Sequence, residues 1–210
     1  MPKIQPFEKN VTRYEEWFEK NSLAYAAELR AIRALLPQAG DGVEIGVGTG
    51  RFAAPLGIKI GVEPARAMAE EARRRGIEVL EGVAEALPLA DNQFDFALMV
   101  TTICFVDDVG KAFREAYRIL KPGGCLILGF VDRESLLGKI YERNKEANVF
   151  YREARFYSVE ELLSHLRRAG FKDFAFTQTI FHELKQIEEK EPVLDGYGQG
   201  SFVVVRAVKG

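Results

Sequence analysis

VEIGVGTGRF, residues 43–52, places three glycines within five positions directly after an apolar run. The run Gly42–Ile45 has the composition of a parallel strand that is buried on both faces. A glycine-rich turn after such a strand lets the backbone approach a ligand at the carboxyl end of the sheet. The stretch therefore predicts a strand, a tight turn and a ligand held close to the main chain.

Four more short runs rich in Val, Ile, Leu and Phe follow this stretch, at residues 58–63, 77–80, 94–101 and 125–131. Helical patterns lie between them, most clearly at 65–75 and 109–120, where the second ends at the stop signal LKPGG. Alternating strands and helices imply right-handed crossovers. The sequence thus predicts an α/β fold with a doubly wound sheet, mostly parallel, and helices on both faces.

The two ends of the chain have other patterns. Apolar residues at helical spacing predict two helices, broken near Asn21, within an N-terminal helical cap over residues 1–40. The capping box Ser158–Glu161 opens a late helix, and runs at 174–181 and 201–208 predict an antiparallel hairpin. The long aromatic and charged connection 132–157 is expected to be a lid inserted in a single domain of residues 1–210.

Composition limits the function. The 210 residues carry a formal net charge of -2, which argues against a broad basic face for nucleic acid. No apolar run approaches the roughly 18 residues of a membrane span, and no leader pattern precedes the first helix, so we expect a cytoplasmic protein without membrane contact. Cys104 and Cys125 lie in apolar contexts and predict buried thiols without a metal site.

An acidic residue supports the ligand hypothesis. Glu63 ends the second predicted strand, where its carboxylate can accept hydrogen bonds from both hydroxyls of a ribose. The dinucleotide fingerprint is GxGxxG, whereas this loop reads GxGxG, which weakens the dinucleotide interpretation. A tight turn without a ligand, and a merely capping role for Glu63, remain the alternatives.

Four segments occur together in a fixed order: VEIGVGTGRF, IGVEP, GVAEALPLADNQFDFALMV and ILKPGG. In this order they resemble the class I S-adenosylmethionine-dependent methyltransferases, in particular the small-molecule, type 11-like group. The resemblance spans about residues 42–131 and implies a Rossmann-like sheet of seven strands. The interval RFAAPLGIKIGVE is shorter than usual for the family and leaves room for only an abbreviated helix.

The resemblance also implies the cofactor-binding residues. The glycine loop would lie beneath the methionine part of S-adenosylmethionine, with Glu44 holding its ammonium and Glu63 its ribose. Pro64 would lie beside the adenine. The full expected set is Glu44, Gly46, Val47, Gly48, Gly50, Glu63, Pro64, Ala84, Glu85, Thr101 and Thr102.

The expected reaction is transfer of the methyl group to a nucleophilic N, O, S or C atom of a small molecule, leaving S-adenosylhomocysteine. In-line displacement needs alignment more than an acid–base pair, so no catalytic residue is assigned, and His165 and His182 are not expected to act as bases. Residues near the methyl group are expected at the ends of the fourth and fifth strands and in the lid. The candidates for substrate contact are Thr102, Cys104, Asp132, Arg133, Tyr141, Tyr151 and Arg155.

Two other functions stay open at this point: a nicotinamide-dependent oxidoreductase, and a regulatory protein that binds S-adenosylmethionine without transferring its methyl group. The oligomeric state and the identity of the acceptor are not indicated by any pattern in the sequence.

Overall fold

A computed structural model describes residues 4–210, so the first three residues of the expected N-terminal cap lie outside the described part. Eight α-helices occur in the described chain: α1 Gln5–Lys9, α2 Val11–Lys20, α3 Ser22–Leu35, α4 Ala53–Leu56, α5 Arg66–Arg74, α6 Val109–Ile119, α7 Leu136–Asn144 and α8 Val159–Ala169. Eight strands occur in the same residues: β1 Gly42–Ile45, β2 Ile60–Val62, β3 Glu78–Leu80, β4 Phe94–Val100, β5 Leu120–Val131, β6 Phe171–Thr179, β7 Leu194–Asp195 and β8 Phe202–Lys209.

All the strands form one sheet in the order β3-β2-β1-β4-β5-β8-β6-β7. The first five pair in parallel, and β8 pairs antiparallel with both β5 and β6. The doubly wound, mostly parallel α/β fold with an antiparallel C-terminal hairpin is therefore confirmed. The sheet has eight strands within residues 4–210 instead of the expected seven, because the two-residue β7 adds to the edge of β6.

Helices cover both faces of the sheet, as the continuous apolar strands predict. Along β4, Ala97 and Met99 face a core that α6 and α8 complete, whereas Phe96, Leu98 and Val100 face a second core under α3 and α5. Because every strand residue in this stretch is buried on one side or the other, the strand shows no polar alternation.

Local signals explain several boundaries. Asp108 accepts a hydrogen bond from the Lys111 amide and caps α6, and Ser158 with Glu161 forms the complete capping box of α8. The abbreviated helix expected before β2 is α4, which has four residues. Two strand starts differ clearly from the expectation. The strand β5 starts at Leu120 instead of Cys125, because Leu120 already pairs with Phe94 before the register shifts at the Pro-Gly-Gly turn, and β6 starts at Phe171 instead of Phe174, because Phe171 pairs with Lys209.

Two segments cover the carboxyl ends of the parallel strands. The helices α1 and α2 precede the sheet, and residues 132–157 contain α7 and a 3₁₀ turn at Lys145–Ala147. Phe150 of the second segment contacts Phe7 of the first at 5.3 Å between ring centroids. These two segments together form the roof, which covers the edge of the sheet where the sequence predicts a ligand.

Candidate functional site

A cavity of about 690 Å³ lies at the carboxyl ends of β1, β2, β4 and β5. Its wall includes the glycine loop, Glu63 and Thr102 on the side of the parallel strands, together with Val131 and Tyr141. Its lining is mostly apolar, with a few polar groups. A cavity of this kind at the end of a parallel sheet has the properties of a small-molecule site.

Gly48 and Gly50 have different roles in the loop after β1. Both have positive φ, +54° and +82°, in the left-handed region where glycine is favoured. A Cβ on Gly50 would lie 2.5 Å from Ile77 and 3.4 Å from Ala72 of α5, so this position serves the packing of the loop on that helix and its end, and it does not line the cavity. A Cβ on Gly48 would meet nothing closer than the Tyr14 hydroxyl at 3.4 Å, and Gly48 forms part of the cavity wall.

The rest of the loop divides in the same way. Gly46 lines the cavity and leaves space for Thr102, whose Cγ2 would lie 2.4 Å from an added Cβ. Val47 is buried and packs against Gly61 of β2, outside the cavity wall. The loop therefore has one side that faces the cavity and one side that packs on the sheet.

Glu63 holds the glycine loop in place from the end of β2. Its two carboxyl oxygens accept hydrogen bonds from the amides of Gly48 and Ala65, each at 2.9 Å. The side chain is 8% exposed, and burial raises its pKa to about 7 against the opposing effect of these hydrogen bonds. Each oxygen retains a lone pair, so the carboxylate can still accept hydrogen bonds from a ligand in the cavity.

Glu44 lies in β1 and is 1% exposed, outside the residues that line the cavity. Burial raises its pKa well above the usual range; a hydrogen bond from the Ala53 amide opposes this, and the nearby Glu63 adds to it. Its Oε2 has no hydrogen-bond partner within residues 4–210. A buried carboxyl oxygen without a donor is costly, so Glu44 is a candidate to accept a hydrogen bond from a group that the protein does not itself supply.

The turn after β4 brings Thr101 and Thr102 to the cavity wall. Thr101 has φ +49°, a strained conformation for a β-branched residue, and its amide bonds to the Gly129 carbonyl at 2.8 Å. The Thr102 hydroxyl donates to the Val100 carbonyl at 3.0 Å. This positive φ turns the backbone sharply at the point where β4 meets the cavity.

Pro64, Ala84 and Glu85 form the far end of the cavity, beyond Glu63. The Glu85 carboxylate accepts hydrogen bonds from the amides of Asp107 and Asp108 and so fixes the entry to α6. Both amides donate to the same oxygen, Oε1, an engagement that the sequence does not indicate.

Aromatic rings make up the roof. Phe7 of α1 contacts Phe105 at 4.9 Å, and Tyr151 stacks on Tyr141 at 5.1 Å. Tyr14, Trp17 and Phe18 of α2 also line the cavity. The N-terminal helices and the segment 132–157 therefore close over the strand ends through ring contacts.

Charged side chains fasten the N-terminal helices to the glycine loop. Glu15 of α2 pairs with Arg51 and Arg75, and Arg75 also donates to the Thr49 carbonyl at 2.6 Å. These contacts, with those of the flanking Glu63, hold both sides of the loop.

Three of the seven substrate-contact candidates, Thr102, Tyr141 and Tyr151, line the cavity; the other four do not. Cys104 is buried behind the wall, where its thiol donates to the Thr101 carbonyl. Asp132 is buried and accepts a hydrogen bond from the Glu134 amide.

The two arginine candidates also point elsewhere. Arg133 pairs with Glu134 and Glu161, and the Arg155 guanidinium lies 4.8 Å from the centre of the Tyr157 ring. The main chain fixes both positions, because the Arg133 amide donates to the Tyr157 carbonyl at 3.0 Å and the Arg155 amide to the Cys104 carbonyl at 2.9 Å. His165 and His182 are not among the cavity-lining residues either.

Glu28 is a cavity residue that the sequence analysis missed. It lies in α3 on the buried stripe Ala24, Ala27, Ala31 and Ile32, is 6% exposed and forms part of the cavity wall. Burial raises its pKa to about 8. The signal that would have found it is a single acid inside an otherwise apolar helical stripe.

The buried carboxyls predict a specific pH dependence of stability. Glu28 and Glu63 have folded-state pKa values of about 8 and about 7, against an ordinary value of 4.5. The folded chain thus keeps protons that the unfolded chain has lost, and this stabilisation, fully present below about pH 4.5, is lost as the pH rises through the folded pKa values.

We expect the free energy of unfolding of the ligand-free protein, measured with urea, to fall between about pH 5.5 and about pH 7.5. Glu28→Gln should remove about 2 kcal/mol of that fall, because one group contributes at most ~1.4 kcal/mol per pH unit. A fall of the same size in the wild type and the variant would contradict the assignment of Glu28.

The described chain contains neither a candidate membrane span nor a candidate metal-binding cluster. Residues 4–210 contain no helix long and apolar enough to cross a bilayer. Within the same residues, no three His, Cys, Asp or Glu side chains are grouped so as to hold a metal ion.

Comparison with known proteins agrees with this geometry. A family model described as a methyltransferase domain matches residues 43–128. A crystal structure of an S-adenosylmethionine-dependent methyltransferase from Thermotoga maritima, described as a possible histamine N-methyltransferase, is 60% identical and superposes with a TM-score of 0.96 over 99% of both chains.

Two relatives extend the comparison. An uncharacterized protein of Methanocaldococcus jannaschii is 44% identical over 97% of this chain and 98% of its own length. A ubiquinone/menaquinone biosynthesis C-methyltransferase of Desulfotalea psychrophila is 32% identical over 65% of this chain and 68% of its own length. The Thermotoga and Desulfotalea proteins are methyltransferases, and this similarity excludes the nicotinamide-dependent oxidoreductase as the family of this chain. The chain belongs to the class I S-adenosylmethionine-dependent methyltransferases.

Proposed function

We propose that this enzyme transfers the methyl group of S-adenosylmethionine to a small-molecule acceptor by in-line displacement. The observation that carries the proposal is the continuous cavity that runs from the glycine loop to Tyr141 and Tyr151 in the segment 132–157. A volume of about 690 Å³ has the size of other small-molecule sites.

The residues at the glycine-loop end fit the cofactor. Gly48 presents its backbone to the cavity with no side chain in the way, and Glu63 has lone pairs left for two ribose hydroxyls. The partnerless Oε2 of Glu44 lies outside the cavity wall, and we propose that it reaches the cofactor's ammonium through a water. Pro64, Ala84 and Glu85 would border the adenine, and Gly46, Thr101 and Thr102 the methionine part.

Val47 and Gly50 would act indirectly. Val47 packs beneath the loop against Gly61, and Gly50 allows the approach of Ile77, so both shape the turn that Gly48 presents. We therefore assign them a positioning role within the cofactor site.

When bound, S-adenosylmethionine supplies an electrophilic methyl carbon attached to a positively charged sulfur. The chain's own task is to orient the acceptor and to exclude water. Thr102 lines the cavity beside Gly46, and the rings of Phe7, Phe105 and Phe150, which contact one another through Phe7, line the same cavity. We propose that residues 132–157 act as the lid of a single domain that spans residues 1–210.

A small acceptor is favoured over a nucleic acid. The net charge of -2 provides no broad basic surface, and the roof is aromatic. The names of the related proteins point to different acceptor atoms, a nitrogen in one and a carbon in the other. The acceptor atom must therefore be inferred from the pocket of this chain.

The proposal is tested by incubating the purified protein with methyl-labelled S-adenosylmethionine and separate pools of small amines, phenols and thiols. We expect label in at least one pool, and inversion at a chiral methyl group in the product, as in-line displacement requires. Label that appears only in added RNA or protein would contradict the small-molecule acceptor, and retention of configuration would contradict the in-line step.

A further inference from the structure

Glu28 stands at a position where packing alone would select an apolar residue. In α3 it is the middle member of the series 24, 27, 28, 31 and 32, whose other members are alanine or isoleucine and fully or nearly fully buried. The helix lays this stripe on β5, β6 and β8. An acid in such a stripe weakens the fold unless something pairs with it.

No such pairing exists inside the described chain. Within residues 4–210, no Lys, Arg or His forms an ion pair with Glu28, and no hydrogen bond reaches its carboxyl. The side chain is 6% exposed and its remaining surface forms part of the cavity wall. The carboxyl is therefore available to a group that enters the cavity.

The surroundings of Glu28 are aromatic. Burial raises the pKa values of Tyr14, Tyr141 and Tyr151, and the nearby negative charge of Glu28 raises all three further. Trp17 and Phe18 line the same cavity. Rings of this kind attract a cation through their faces, and a carboxylate pairs with it.

Glu28 enters the cavity from a helix that packs on the β5 side of the sheet. Its helix packs on β5, β6 and β8, whereas Glu63 ends β2, three strands away from β5 in the sheet order. Tyr141 and Val131, which share the cavity wall with Glu28, follow or end β5. The cofactor-binding loop lies between these two sides.

We propose that Glu28 binds the amino group of the methyl acceptor, and that the acceptor is an amine carried on an apolar or aromatic body. This assignment rests on the proposed function. The ammonium form of the amine would pair with the Glu28 carboxylate and give it one proton, which frees the nitrogen lone pair that displaces the methyl group from the cofactor's sulfur. The aromatic walls would enclose the rest of the molecule.

Binding is measured by calorimetry on protein saturated with S-adenosylhomocysteine, with 2-phenylethylamine and histamine as probes and 2-phenylethanol as the neutral counterpart. The wild type should bind at least one amine about 10-fold or more tightly than the alcohol. Glu28→Gln, which is nearly isosteric, should lose about 10-fold or more of the amine affinity and leave the affinities for the alcohol and S-adenosylhomocysteine within about 2-fold.

Glu191→Gln serves as the matched control, because Glu191 is also a buried carboxylate but pairs with His182 and the Phe181 amide outside the cavity. It should bind the amine as the wild type does. Unchanged amine affinity in Glu28→Gln would overturn the proposal, as would a parallel loss of S-adenosylhomocysteine affinity, which would make Glu28 a cofactor residue.

The outcomes separate this inference from the proposed function. Label transfer to a phenol or thiol, with no amine bound or methylated, would overturn the role of Glu28 and leave the methyltransferase with a small-molecule acceptor intact. Absence of label in every small-molecule pool, together with intact amine binding, would count against the proposed function instead.

Discussion

Gly48→Val should lower the affinity for S-adenosylmethionine by more than about 100-fold, or ~3 kcal/mol, while the protein stays folded. The valine side chain would project into the cavity at the point where the loop presents its bare backbone. The positive φ of +54° also strains any β-branched residue, so we expect stability to fall by roughly 2 kcal/mol. Calorimetric titration with S-adenosylhomocysteine and urea unfolding measure the two effects separately.

Gly57→Val is the matched control for this prediction. Gly57 has a φ of +78° and nothing within 4 Å of an added Cβ, and it does not line the cavity. The control should lose a similar amount of stability and keep its cofactor affinity. Equal affinities in both variants would mean that Gly48 serves only the turn.

Glu63→Ala should weaken cofactor binding by about 1–3 kcal/mol, because it removes a charged acceptor for the ribose hydroxyls. The structure adds a second consequence, since the amides of Gly48 and Ala65 would lose their acceptor as well. We therefore expect a fall in stability of about 1–3 kcal/mol alongside the fall in affinity. Titration calorimetry and urea unfolding again give the two values.

Glu115→Ala provides the comparison for Glu63. The Glu115 carboxylate likewise accepts a hydrogen bond from a main-chain amide, that of Leu87, and pairs with Arg118, but it lies outside the cavity wall. Its loss should lower stability without changing cofactor affinity. If Glu63→Ala behaves in the same way, Glu63 supports the loop and does not touch the cofactor.

Periodicity and turn chemistry predict most of the fold. The buried strands, the glycine loop, the abbreviated helix before β2 and the capping box of α8 all follow from local patterns. The two-residue β7 could not be predicted this way, because Leu194–Asp195 carries no strand signal and pairs only where β6 offers a free edge. The short α1 was missed because it is only one turn long.

The site shows where sequence patterns stop being informative. Strand ends and a glycine loop bring Gly48, Glu63 and Thr102 together, because the carboxyl ends of parallel strands meet at one edge. No comparable packing rule predicts where side chains of the segment 132–157 lie. Arg133 and Arg155 are expected near the substrate, but in the structure Arg133 pairs with Glu161 and Arg155 lies over the Tyr157 ring. Glu28 is not evident from the sequence, because the apolar spacing that predicts its helix says nothing about an acid within the same stripe.

The measurement that tests the central claim most directly is isothermal titration of the purified protein with S-adenosylmethionine, S-adenosylhomocysteine and NADH in parallel. The account predicts micromolar binding of the first two and no binding of NADH. Binding of NADH alone, or of none of the three, would contradict the assignment of the cavity beside Gly48 and Glu63 as the S-adenosylmethionine site.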